Sequence, residues 1–269
     1  MTTDATLRRS LSSDGHTVTL DPGFQGLPDT AHGGTVLALF DVVACVTGPR
    51  VVSGVYRRRV PLATPLAFSR DPTGFVLGDG LVEGSVRAAD AQPIARVDMP
   101  RDRDGGVPLP ISKTCFACGT ANPLGLCVQL SLHDTHVAGT WTAPERLRAG
   151  DHIATVAITT LVDEAAFWLG AAASGEAGMT TELSVHLARP VPFGTPLTIV
   201  GSRAVVRAHA DDARYWDTEI AATLDDGTCV ASASITFVAV RGSARKLVAG
   251  LLAVNPPDVL RAVFPKYVS

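Results

Sequence analysis

Two stretches of this chain are apolar with hardly a break, and each carries an acid near its middle. The first reads HGGTVLALFDVVAC from His32, the second ATVAITTLVDEAAFW from Ala154. Both predict helices. The second is apolar almost all round and rich in alanine, and a helix without a polar face is a buried helix. Elsewhere apolar and polar positions alternate with the period of two that marks a half-buried strand, over residues 16–20, 126–132 and 135–141. Longer strand-like runs, residues 212–224 and 228–240, flank Asp225-Asp226-Gly227. Asp-Gly between two such runs predicts a hairpin. A weaker counterpart has residues 80–88 and 92–99 around Ala89-Asp90-Ala91.

The pattern occurs twice. Residues 60–66 read VPLATPL and residues 191–197 read VPFGTPL, identical at five of seven positions. Each follows one of the apolar helices and is read as a strand, and each precedes a pair of strand-like runs. Laying the helices on each other matches His32 with Ala154 and Asp41 with Asp163. Because order and sequence repeat together, the chain reads as one unit used twice. Each unit is α+β: a first strand, a loop, one central helix, then antiparallel strands curled around that helix. The expected units are residues 1–106 and 107–269. Between them RDRDGGVPLP, residues 101–110, has linker composition. The tail from residue 243 holds Pro256, Pro257 and Pro265 and reads as a short helical appendage.

Bulk properties narrow the field. With 269 residues, 46% of them hydrophobic and 18% charged, the chain can bury a sizeable core. A net charge of -3 gives no basic footprint for nucleic acid. Five cysteines, an odd number, fit a reducing compartment better than a disulfide scaffold. The longest apolar stretch, residues 153–173, is interrupted by Asp163 and Glu164, which argues against a membrane span. The opening MTTDATLRRS lacks the apolar core of a signal peptide. A cytoplasmic protein is expected.

Residues 24–41, FQGLPDTAHGGTVLALFD, resemble the entrance to the central helix in hotdog-fold thioesterases of the PaaI and 4-hydroxybenzoyl-CoA type. In that family a His-Gly-Gly turn opens the helix and an acid lies nine residues after the His; Asp41 fits (41 − 32 = 9). CFACGTANPLGL from Cys115, LVDEAAFW from Leu161 and TTELSVHLARPVPFGTPL from Thr180 resemble the same family. The resemblance implies two hotdog units fused in tandem about a pseudo-twofold axis. It also implies hydrolysis of an acyl thioester carried on CoA or on a carrier protein, with no cofactor beyond that CoA and possible further homo-oligomerisation. The departure is Ala154-Thr155-Val156, which stands where the second His-Gly-Gly would be.

The chemistry sets its own constraint. A helix N-terminus offers unpaired N–H groups and the positive end of the helix dipole. Gly33 and Gly34 are therefore candidate donors to a thioester oxygen. A carboxylate would then activate water or attack directly. Nine helical residues rise about 13.5 Å, so Asp41 cannot serve the turn of its own helix. The acid must come from a second helix lying antiparallel alongside. One composite site would join Gln25, His32, Gly33 and Gly34 to Asp163, the leading acid, with Glu164 behind it. The other would join Asp41 to residues 154–156. Thr180 and Thr181 stand where the resemblance places a hydroxyl near the acid. Structural readings stay open for several of these: His32 bonding loop backbone, Asp163 or Asp41 bonded to backbone or an arginine, Gln25 supporting its loop. Arg57, Arg58 and Arg59 form a basic run on a predicted strand, either a solvated face or, through Arg58, a contact for CoA phosphates. Cys115 and Cys118 form a C-x-x-C with only Cys127 and His133 nearby in sequence, so no metal is expected. A hotdog dehydratase or hydratase and a non-catalytic acyl-binding or scaffold protein are the competing functions.

Overall fold

The computed structural model describes residues 1–90 and 106–268. Its first half contains α1 (Thr3–Arg9), β1 (Thr17–Val18), α2 (Gly33–Ala44), β2 (Arg50–Tyr56), β3 (Leu66–Asp71), β4 (Gly74–Leu77) and β5 (Val82–Ala88). Then come β6 (Val107–Pro108), β7 (Ser131–Leu132), β8 (His136–Trp141), β9 (Arg148–Ala149), β10 (His152–Ile153) and α3 (Thr155–Ser174). The rest is β11 (Gly178–Leu187), β12 (Leu197–Ser202), β13 (Arg207–Ala208), β14 (Tyr215–Thr223), β15 (Cys229–Ala239), α4 (Ser243–Leu251) and α5 (Pro257–Arg261).

The strands form one antiparallel sheet in the order β1-β3-β4-β5-β2-β11-β15-β14-β12-β8-β7-β6, with β13 on β14; β9 and β10 pair separately. Outward from its centre the order is mirrored. The strand after each helix, β2 or β11, lies innermost, the last long strand of each half, β5 or β15, lies next to it, and β1 and β8 occupy matching outer places. At the central pair Ser53 faces Ser184, their hydroxyls 2.9 Å apart. That separation along the chain (184 − 53 = 131) also relates Val60 to Val191 (191 − 60 = 131), the starts of the two VP-x-x-TPL segments. The helix starts are closer in sequence (154 − 32 = 122), because α3 has 20 residues where α2 has 12.

The VP-x-x-TPL segments are not strands. They are turns that deliver the chain into β3 at Leu66 and β12 at Leu197. Each holds two prolines, which fix φ and cannot donate to a ladder. The run over residues 126–132 contributes only β7, and the one over 16–20 only β1. The predicted run 92–99 and most of the linker lie outside the described residues. Within them, β5 pairs with β4 across a tight turn in which Gly78, Asp79 and Gly80 all have positive φ. The hairpin at Asp225-Asp226-Gly227 joins β14 to β15 as expected, and the tail forms α4 and α5. The short α1, capped by the Thr2 hydroxyl, had no strong sequence signal.

Both long helices pack on the sheet and on each other: α2 on β2 and β5, α3 on β8, β11, β12, β14 and β15. The helix α3 is long and apolar enough to cross a membrane, and 83% of its apolar window is buried inside the protein. The two helices run antiparallel and almost touch. A Cβ added to Gly34 would lie 2.5 Å from the Thr159 carbonyl oxygen. The Thr159 hydroxyl donates to the Gly34 carbonyl at 2.7 Å. Only a residue without a side chain fits there. Gly34→Ala should therefore destabilise the fold by about 1–3 kcal/mol, the usual cost of overpacking, measured by equilibrium urea denaturation. An unchanged midpoint would mean that the helices do not meet this closely.

Candidate active site

The turn that opens α2 is held by backbone bonds: His32 donates to the Phe24 carbonyl at 2.8 Å and Ala31 to the Val60 carbonyl at 2.9 Å. His32 occupies the N-cap position, yet its side chain makes no capping bond. It turns instead toward α3. Nδ1 lies 3.0 Å from Asp163 Oδ2 and Nε2 lies 3.5 Å from Glu164 Oε2. The Nδ1 contact is one of charge rather than a directed hydrogen bond, since the geometry falls short of one. All three residues are buried.

Asp163 is bonded on both oxygens. Oδ2 accepts the Gly34 N–H at 2.8 Å and Oδ1 accepts the Thr180 hydroxyl at 2.6 Å. Burial pushes its carboxyl up, but His32, Thr180 and the Gly34 amide outweigh burial and hold it below the usual carboxylate range. Burial likewise pulls the His32 imidazole down, and its two carboxylate neighbours more than reverse this, so it sits well above its ordinary value. Glu164 is steered by Trp168, whose Nε1 donates to Oε1 at 2.9 Å. Trp168 follows Glu164 by four residues, a spacing legible in a helix.

These groups line a cavity of about 130 Å³. Its apolar wall includes Leu27, Tyr56, Phe167, Trp168, Met179, Leu247 and Leu251, so α4 closes part of it. Arg58 and Arg59 line it too; both follow β2 rather than lying on it, and both are exposed. The aromatic wall had no signal in the overall composition, because only three side chains make it. Tyr56 also donates to the Gly33 carbonyl at 2.7 Å.

The fold brings His32, Gly33, Gly34, Asp163, Glu164 and Thr180 together and leaves others outside. Gly34 does not serve as an open donor, because Asp163 takes its N–H. The Gly33 N–H has no hydrogen-bond partner among the described residues, and Gly33 is one of the residues lining the cavity. Gln25 is a loop support, donating to Thr114 at 2.7 Å and accepting from the Asp29 amide. Thr181 donates to the Thr236 carbonyl at 3.1 Å, away from the cavity. Asp41 is buried and bound by Arg50, whose Nη2 donates to Oδ2 at 2.7 Å and approaches Thr155 at the start of α3. The guanidinium thus stands between Asp41 and residues 154–156. Both C-x-x-C cysteines lie on the cavity wall beside His32 and Glu164.

No protein-family model and no curated protein matches the chain. Solved structures do. The tesB protein of Mycobacterium avium subsp. paratuberculosis superposes with a TM-score of 0.57 at 15% identity, covering 88% of this chain and 98% of that one. The acyl-CoA thioesterase II TesB2 of Mycobacterium marinum gives 0.51 at 14%, covering 79% and 91%. A conserved protein of unknown function with a hot dog fold from Alicyclobacillus acidocaldarius gives 0.53 at 13%, covering 88% and 97%. By strand order, buried helices and these superpositions, the chain has an α+β hotdog fold.

Proposed function

We propose that the chain hydrolyses an acyl thioester, with Asp163 as the general base and the Gly33 N–H as the oxyanion donor. The observation that carries this reading is a buried carboxylate from one helix held at the N-terminus of another, beside an unpaired amide and an apolar cavity. A thioester oxygen accepting from Gly33 places its carbonyl carbon next to Asp163, with the acyl group among Phe167, Trp168, Met179 and Leu247. Asp163 takes a proton from a water that the Thr180 hydroxyl helps orient. The water oxygen adds to the carbonyl carbon, and the oxyanion gains the Gly33 hydrogen bond and the α2 dipole. Collapse of this intermediate breaks the C–S bond, and the departing thiolate recovers the proton. The cationic rim of Arg58 and Arg59 suits the phosphates of CoA. The name of the TesB2 neighbour, an acyl-CoA thioesterase II, points the same way.

We read the architecture behind this as two hotdog units fused at about residue 106, in support of which stand the mirrored strand order and the shared separation of 131 residues that relates β2 to β11 and one VP-x-x-TPL turn to the other. One composite site then works, and the Asp41 side is closed by Arg50.

Thiol release from a panel of acyl-CoAs tests the assignment. Asp163→Asn should lower the rate at least about 100-fold, the scale of a lost general base, and Asp41→Asn less than about tenfold. A dead Asp41→Asn beside an active Asp163→Asn would invert the assignment, and no release from any acyl-CoA by the native protein would reject the activity. A second prediction concerns the closed side. Arg50→Ala leaves Asp41 buried without its partner and should cost on the order of 3 kcal/mol in urea denaturation. Replacing both, Arg50→Met with Asp41→Leu, should recover most of that loss. If Arg50→Ala alone is neutral, the ion pair is not what closes this side.

A further inference from the structure

We propose that Cys115, Cys118, His32 and Glu164 bind one zinc ion in the wall of the cavity. The local sequence argued against a metal because it showed no second ligand pair near the C-x-x-C. The fold supplies one from two distant segments. A ring nitrogen of His32, the Cys115 sulfur and a Glu164 oxygen all lie within 4.8 Å of one another, and all three residues are buried. Cys118 completes the set as the second cysteine of the C-x-x-C, buried and on the same stretch of cavity wall. Zinc bonds of about 2.0–2.3 Å put tetrahedral ligand atoms about 3.3–3.8 Å apart, so the widest gap needs to close by roughly 1 Å.

The surroundings are those of a ligand set. Residues 115–119, CFACG, form a turn in which the Ala117 N–H donates to the Cys115 sulfur at 3.3 Å. An amide aimed at sulfur favours the thiolate, the form that binds metal. The Gly119 N–H closes the turn on the Cys115 carbonyl at 2.9 Å, and a Cβ on Gly119 would lie only 2.1 Å from that oxygen. The outer partners expected of ligands are present: Trp168 holds the second oxygen of Glu164, and Asp163 faces the other nitrogen of His32. Two carboxylates and two thiols therefore lie around one imidazole, all five side chains buried. A divalent cation balances that charge, where burial would otherwise penalise it. With four protein ligands such a site is structural. It would clamp the α2 turn and residues 115–118 to α3, leaving the hydrolytic step to Asp163 and Gly33.

Metal binding is read without turnover, so this inference stands or falls apart from the thioesterase reading. Full-length protein purified without added metal should hold about one zinc per chain by elemental analysis. Exchange into cobalt(II) should give a thiolate-to-cobalt charge-transfer band with tetrahedral d–d bands. Cys115→Ser and Cys118→Ser should each lose the metal, while Cys229→Ser keeps it. Should the serine variants fail to fold, titrating the native protein with an organomercurial should release the zinc to a chromophoric chelator. Less than about a tenth of a zinc per chain together with an octahedral cobalt spectrum would overturn the proposal. So would zinc retained in Cys115→Ser, or a Cys115–Cys118 disulfide in the native protein.

Discussion

Everything at this site depends on how closely α2 and α3 approach. The contact at Gly34 brings the Asp163 carboxylate to the first turn of the opposite helix, where free amides and the dipole favour negative charge. A buried carboxylate is costly unless every lone pair is met. Asp163 comes close to that condition with a backbone amide and an imidazole from the α2 turn and a threonine hydroxyl from β11. Widening the helix contact by one methyl group would separate those partners.

The helices, the repeat and the approach of Asp163 to the opposite turn were legible because each has a local cause. Apolar runs with a lone acid, duplicated with the same neighbours, admit few arrangements, and the rise of a helix alone forces the acid of one unit toward the turn of the other. What escaped was decided at longer range. Nothing near Gly34 announces that Asp163 consumes its amide and leaves that of Gly33 without a partner among the described residues. Nor does the chain around Arg50 foretell that its guanidinium will cover Asp41. The VP-x-x-TPL segments were misread as strands although their prolines already argued for turns. The cysteine pair looked short of ligands for the same reason in reverse, since its neighbours in space are 83 residues before Cys115 and 49 after it (115 − 32 = 83; 164 − 115 = 49).

The cavity is assembled in the same long-range way. Its polar end is fixed by two helices, its apolar wall by α3 and β11, and part of its lining by α4 from the tail. The tail is therefore more than an appendage: Leu247 and Leu251 face the space an acyl group would fill, so its packing bears on how long that group can be.

The mirrored sheet belongs to a single polypeptide, and that changes what mutation can do. In a pair of identical subunits every substitution arrives twice, and one that blocks a helix end blocks both. Here each residue is written once. Arginine can stand at position 50 while threonine occupies the matching sheet position, 181, because no rule of identity couples them. Covalent continuity thus lets symmetry survive in the backbone while it is abandoned in the side chains, and chemical asymmetry becomes heritable.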